Sequence, residues 1–141
     1  MKRKVNISLI SKQYDGENTE QLELLTEGEL KISENSYELS YQESEATGFD
    51  NCVTTLTVKD NNTVMLTRSG DAGSDLVIEM GKKHHCLYGT PFGDMMVGVT
   101  AKKVDSDMTK DGGRLNFSYS LDINASYVGD FEINIGVKKI N

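Results

Sequence analysis

Apolar and polar residues alternate along this chain with a period of two. The run is plainest at Leu115, Phe117, Tyr119, Leu121 and Ile123, with Asn116, Ser118, Ser120 and Asp122 in the gaps. Such a rhythm puts apolar side chains on one face of a β-strand and polar ones on the other. It returns at Val5, Ile7 and Leu9, at Tyr37, Leu39 and Tyr41, at Val64 and Leu66, at Leu76, Ile78 and Met80, and from Phe131 to Val137.

Turn formers cut this pattern into ten predicted strands: Lys4–Tyr14, Thr19–Ser33, Tyr37–Ser44, Asn51–Lys59, Thr63–Ser69, Asp75–Met80, His84–Thr90, Met95–Asp105, Arg114–Ser126 and Tyr127–Lys139. Asp15 and Gly16, Asp60 to Asn62, and Gly81 to Lys83 are turn-forming stretches of the kind that joins hairpins. The second strand carries Leu22, Leu24, Gly28, Leu30 and Ile32 on its inward face, and Gly28 is expected to mark a bend or bulge. Helical periodicity is confined to Asp105–Lys110, enough for a single turn. Loops of about four residues suit an antiparallel meander and are too short for crossover helices. Ten such strands with one dry face make either a sandwich or a barrel. Pairing of every strand with its chain neighbours favours the barrel, which also removes exposed edges. The expectation is one all-β domain over 1–141, a closed antiparallel meander barrel of about ten strands.

With 141 residues the chain buries about two thirds of its unfolded surface and needs no staples. Its 15 basic and 22 acidic side chains give a net charge of -7, which argues against a phosphate backbone or an anionic membrane as partner. No apolar stretch approaches the ~20 residues of a membrane span. The basic start, Met1 to Lys4, runs into a strand pattern rather than a signal sequence. Two cysteines without an export signal read as reduced thiols in a cytoplasmic protein.

Several short motifs resemble a known family. Tyr37, Leu39 and Tyr41, the pair Thr54 and Thr55, Arg68 with Gly70, Glu79 with Gly81, the segment Tyr88, Thr90, Pro91, Phe92 and Gly93, the pair Gly112 and Gly113, and Tyr119 with Leu121 look like the YwiB family of uncharacterised bacterial proteins. The likeness extends over essentially the whole chain, and the segment around Thr90 and Pro91 is its most specific part. It implies a calycin-like β-barrel, similar to lipocalins and fatty-acid-binding proteins. The family carries no assigned activity, so no catalytic residue transfers with it, and ligand binding by analogy of fold is a weak warrant.

Strand parity points certain polar groups inward. Arg68 shares the face of Val64 and Leu66; Glu43 shares that of Leu39 and Tyr41; Tyr88 lies with His84 and Cys86; Tyr119 sits within the ninth strand's apolar row. A charge inside a barrel must be paired or hydrogen-bonded. Arg68 therefore meets Glu43 or hydroxyls at the barrel mouth, or else a ligand carboxylate, which its planar fork matches. A bulge would reverse the parity. Arg68, Tyr88, Tyr119, Glu43, Tyr41 and His84 are the candidate ligand-binding residues.

Other chemistries find less support. His84 and His85 face opposite ways in a strand, so with Cys86 and Cys52 they fall short of a tetrahedral zinc set. Cys86 reads as core filler. Residues Gly89 to Asp94 lack the Lys-Ser/Thr of a phosphate loop; Phe92 reads as a plug at a rigid corner, and Phe49 as an anchor of its loop or a lid. The aromatic residues lack the basic stripe of a nucleic-acid platform. No secure nucleophile–base pair is present, although His84 near Glu43 would be the exception to watch. The function read from the chain is non-catalytic binding of a small apolar or amphipathic molecule inside the barrel, with no cofactor or metal. The alternative is a solidly packed barrel that binds a protein partner or a second copy of itself through outward Met65, Val77, Leu87 and Met96.

Overall fold

The first strand pairs with the last. In a computed structural model, which describes residues 2–43, 52–70, 74–90 and 93–140 (backbone alone at 74, 89, 90 and 94), β1 (Lys2–Tyr14) runs antiparallel to β10 (Ser126–Lys139) from Val5 opposite Lys139 to Tyr14 opposite Asp130. Between them lie β2 (Thr19–Ile32), β3 (Ser36–Gln42), β4 (Cys52–Lys59), β5 (Thr63–Gly70), β6 (Ser74–Glu79), β7 (Lys83–Thr90), β8 (Gly93–Ser106) and β9 (Gly112–Ile123), each beside its chain neighbours. The expected closed antiparallel barrel of ten strands is the structure found. Among the described residues no helix is long and apolar enough to cross a membrane.

Alternation in sequence becomes alternation in burial: β4 is buried at Cys52, Thr54, Leu56 and Val58, and β9 at Leu115, Phe117, Tyr119 and Leu121. One half of the interior is filled by deeply buried aliphatic side chains. Val5, Leu30, Leu39, Val58, Val64, Ile78, Leu115 and Val137 are all sealed there, beneath the turns around 33–35, 60–62 and 80–82. At that end the Tyr37 hydroxyl bonds to the Ser106 hydroxyl. Burial pushes the Tyr37 phenol up to about 12; the Ser106 bond pulls it partly back and Asp107 pushes it further.

Three local expectations need correction. Gly28 is not a bulge, since the register runs through it from Val5 on one side to Tyr41 on the other. A glycine is required there by space: a Cβ would lie 2.3 Å from the Ser40 carbonyl oxygen and 2.6 Å from Ile7 Cδ1. The register shifts instead between Ala101 and Lys103 and between Tyr127 and Gly129, on the two strands flanking β9. They are tied together by Asp130, which accepts from Lys102 Nζ at 3.0 Å and from the Ser120 hydroxyl. Second, β9 stops at Ile123 rather than Ser126. Asn124 and Ala125, at φ 53° and 68°, make the two-residue turn whose twist suits a hairpin. Third, the single helical turn over Asp105–Lys110 does not form; β8 continues to Ser106, and Thr109 bridges to Gly112.

The wall is weakest between β6 and β7, where only Ser74 with Tyr88 and Asp75 with Leu87 pair. Beyond that point the Val77 N–H, which a continued ladder would give to a carbonyl, goes to Cys86 Sγ at 3.3 Å. Burial raises the Cys86 thiol above its usual value. The side chains of Cys86 and Cys52 are both buried.

Candidate functional site

The other half of the barrel is hollow. A cavity of about 160 Å³ lies at the end where β1, β3, β5, β7 and β9 finish. Leu9, Leu24, Leu56, Leu66 and Leu76 form its aliphatic wall. Opposite them runs an aromatic ladder. Tyr119 is stacked on Phe131 with centroids 5.3 Å apart and planes 11° apart, and on Phe117 at 6.1 Å and 14°. Strand pairing builds the first contact, since Phe131 faces Tyr119 across β9 and β10; the period of two builds the second.

The polar end of the cavity grows from three adjacent strands. Tyr41 on β3 opposes Thr54 on β4, and Thr54 opposes Arg68 on β5. Glu43 follows two residues after Tyr41 and faces the same way. The Thr54 hydroxyl donates to Glu43 Oε1 at 2.7 Å and accepts from Arg68 Nε at 3.3 Å. Arg68 Nη2 stands 3.8 Å from the same carboxylate oxygen, with the side chains 9% and 3% exposed. Of the partners that parity offered Arg68, Glu43 and a hydroxyl are those the structure supplies.

Two of the tyrosines at this end, Tyr41 and Tyr119, have their phenols pushed up by burial. Burial drives the Tyr41 phenol far above its ordinary value, the Glu43 charge adds to this, and Arg68 partly opposes it. Tyr119 is raised chiefly by burial and then by Tyr88, again against Arg68. Its hydroxyl has no hydrogen-bond partner among the described residues. No described polar side-chain atom that is sealed off lacks a partner, so this hydroxyl faces the cavity itself.

Five of the six candidate residues thus converge: Arg68, Glu43, Tyr41, Tyr88 and Tyr119 all line the cavity. His84 does not. It shares the face of Tyr88, but four residues of extended chain, about 13 Å, separate them. His84 Nε2 bonds instead to Glu79 Oε1 at 3.1 Å, and the ring is a third exposed. The expected neighbour Glu43 is replaced by Glu79, held below its usual range by His84 and then Lys82. Phe49 and Phe92 lie outside the described residues. Thr54, Phe117 and Phe131 are cavity or network residues that parity alone did not single out. The register of the two hairpins, Thr54 against Arg68 and Phe131 against Tyr119, is the signal that finds them.

Among the described residues no three His, Cys, Asp or Glu side chains gather where a metal could sit. The cavity offers apolar surface, neutral hydroxyls and a paired charge, a chemistry suited to holding a molecule in place.

The family model for a domain of unknown function, DUF1934, matches residues 7–135. The chain is 27% identical over 132 residues to the uncharacterised β-barrel protein YwiB of Bacillus subtilis, covering 92% of this chain and 87% of that protein. The crystal structure of the ywiB protein from Bacillus subtilis aligns with a TM-score of 0.83 at 20% identity, over 99% of this chain and 94% of that one. At this identity the chain is a relative of that protein and not that protein itself, and the structural likeness speaks for the fold.

Proposed function

The chain belongs to the DUF1934 family, a domain of unknown function, and we propose that its barrel holds a small apolar or amphipathic molecule without transforming it. One observation carries this reading: a barrel with deeply buried aliphatic side chains in one half keeps a cavity of about 160 Å³ at the other end, and a buried hydroxyl, that of Tyr119, opens into it. Natural ligand pockets run to about 300–1,000 Å³, while an apolar cavity of about 150 Å³ accommodates benzene. The ligand is therefore small, and a long fatty acid is too large. A calycin-like kinship agrees with this by analogy of fold alone. The same reading assigns the protein to a reducing cytoplasm and gives it no cofactor, nucleic-acid or membrane partner.

Titration with short-chain alcohols and single-ring aromatic compounds, followed by chemical shifts, tests the proposal. Shifts confined to residues around Arg68, Tyr88 and Tyr119 are expected. Their absence at millimolar ligand would sink it.

A second reading rests on the outer surface. Met65 faces Val77 across β5 and β6, and Leu87 faces Met96 across β7 and β8, with Leu87 42% and Met96 58% exposed. Asp75, beside Leu87, breaks the patch with a charge. Sedimentation that depends on concentration, and is abolished by Met96→Lys, would favour this surface as a self-association site.

A further inference from the structure

The sequence offered Arg68 either Glu43 and hydroxyls or a ligand carboxylate, and its surroundings argue against the carboxylate. Glu43 stands 3.8 Å from its guanidinium, and Thr54 is hydrogen-bonded to both. The polar end of the cavity thus carries one positive and one negative charge within a few ångströms. A carboxylate brought to Arg68 would come close to Glu43 as well, and like charges sharing a poorly solvated site disfavour each other. A neutral molecule avoids that conflict.

Size and shape narrow the choice. The cavity of about 160 Å³ is close to the volume that accommodates one benzene ring. The stacked rings of Phe117, Tyr119 and Phe131 form one wall, and aromatic surfaces reward a further ring by offset or edge contacts. The Tyr119 hydroxyl, without a partner among the described residues, faces this space as a donor. Burial keeps it protonated and so able to donate.

Resting on the binding reading above, we propose that the cavity selects an uncharged single-ring aromatic molecule whose hydroxyl or carbonyl oxygen accepts a hydrogen bond from Tyr119, and that the Glu43–Arg68 pair excludes carboxylates.

Benzyl alcohol, toluene, benzoate and hexanol, titrated into the intact protein with leucine methyl groups as reporters, separate the possibilities. Benzyl alcohol is expected to bind at least about tenfold more tightly than benzoate. Tyr119→Phe should weaken benzyl alcohol about fivefold and leave toluene unchanged, because only the alcohol uses the hydroxyl. Glu43→Gln, by removing the negative charge that stands 3.8 Å from Arg68, should raise benzoate affinity relative to benzyl alcohol. Benzoate binding as well as benzyl alcohol to the parent, or a Tyr119→Phe variant that distinguishes neither neutral ring, overturns the proposal. Binding of hexanol but neither ring also overturns it and leaves cavity binding standing. No shift with any of the four ends both. If the amide spectrum shows Glu43→Gln unfolded, the parent ranking and Tyr119→Phe decide alone.

Discussion

The Thr54 hydroxyl donates to Glu43 Oε1 at 2.7 Å from the neighbouring strand, and this bond helps hold the carboxylate beside Arg68. Thr54 is fully buried and spends its single proton on Glu43 while accepting from Arg68 Nε. Removing one member of a buried ion pair strands the other's charge. Arg68→Ala is expected to cost about 3–5 kcal/mol in urea unfolding, and Thr54→Val about 1–3 kcal/mol. The double replacement Glu43→Leu with Arg68→Met should recover most of that loss, since apolar groups of similar shape often substitute for a buried pair at little cost. A double variant as unstable as Arg68→Ala would show that the pair contributes more than mutual neutralisation.

Gly28→Ala tests why that position is glycine. Alanine normally favours an element interior over glycine. Here its Cβ would collide with the Ser40 carbonyl oxygen, which is backbone and cannot swing aside. The variant is expected to lose about 1–3 kcal/mol, a typical cost of overpacking. Thermal unfolding of parent and variant measures it, and an unchanged midpoint would contradict the clash.

Alkaline pH should unfold the barrel through its phenols. Tyr37 is raised from 10.0 to about 12, and Tyr41 and Tyr119 are raised as well. Below pH 10 both folded and unfolded chains keep these protons, and the stabilisation is fully present. As pH climbs from 10 towards 12 the unfolded chain releases them first, so the folded state loses ground. Tyrosinate absorbance followed alongside circular dichroism should show late ionisation coinciding with loss of sheet. Complete ionisation of all tyrosines near pH 10 with the sheet intact would contradict the burial of these three.

The two halves of the interior should answer truncation differently. Leu39 is sealed in the packed half, whereas Leu22 at the cavity rim is 44% exposed. Leu39→Ala is expected to cost about 2–5 kcal/mol, and Leu22→Ala less than about 1 kcal/mol, since little area returns to water there. Equal losses on urea unfolding would mean that the rim is as tightly packed as the base.

Much of this architecture is legible in the chain because a period of two is a backbone property. Once Leu115 and Phe117 face inward, Tyr119 and Leu121 must follow. Parity located Arg68, Glu43, Tyr41, Tyr88 and Tyr119 for the same reason. Its limit is that it gives the face and not the height along the barrel axis. His84 and Tyr88 share a face, yet one bonds to Glu79 near the β6–β7 turn and the other lines the cavity. Height follows from register, which depends on turn geometry. The turn at Asn124 and Ala125 contains no glycine, so it gave no punctuation, and the pairing of Phe131 with Tyr119 stayed hidden with it. Gly28 misled in another way: a glycine that makes room for a neighbour's carbonyl looks, in sequence, like one that marks a bulge.

The pairing of β1 with β10 also makes the order of the strands a matter of convention. Ile140 N–H reaches the Lys4 carbonyl at 3.2 Å, so the start of β1 lies beside the end of β10. A short linker could join them, and new ends could be cut in the turn at 80–82, where β6 and β7 share only two paired positions. Such a circular permutant would sever the least cooperative seam and make the present one continuous. It would also change when the ring can close. In the natural order the tenth strand to emerge is the one the first must wait for, and closure comes last; in the permutant that long seam becomes a local hairpin, formed early, and the ring closes across its weakest joint.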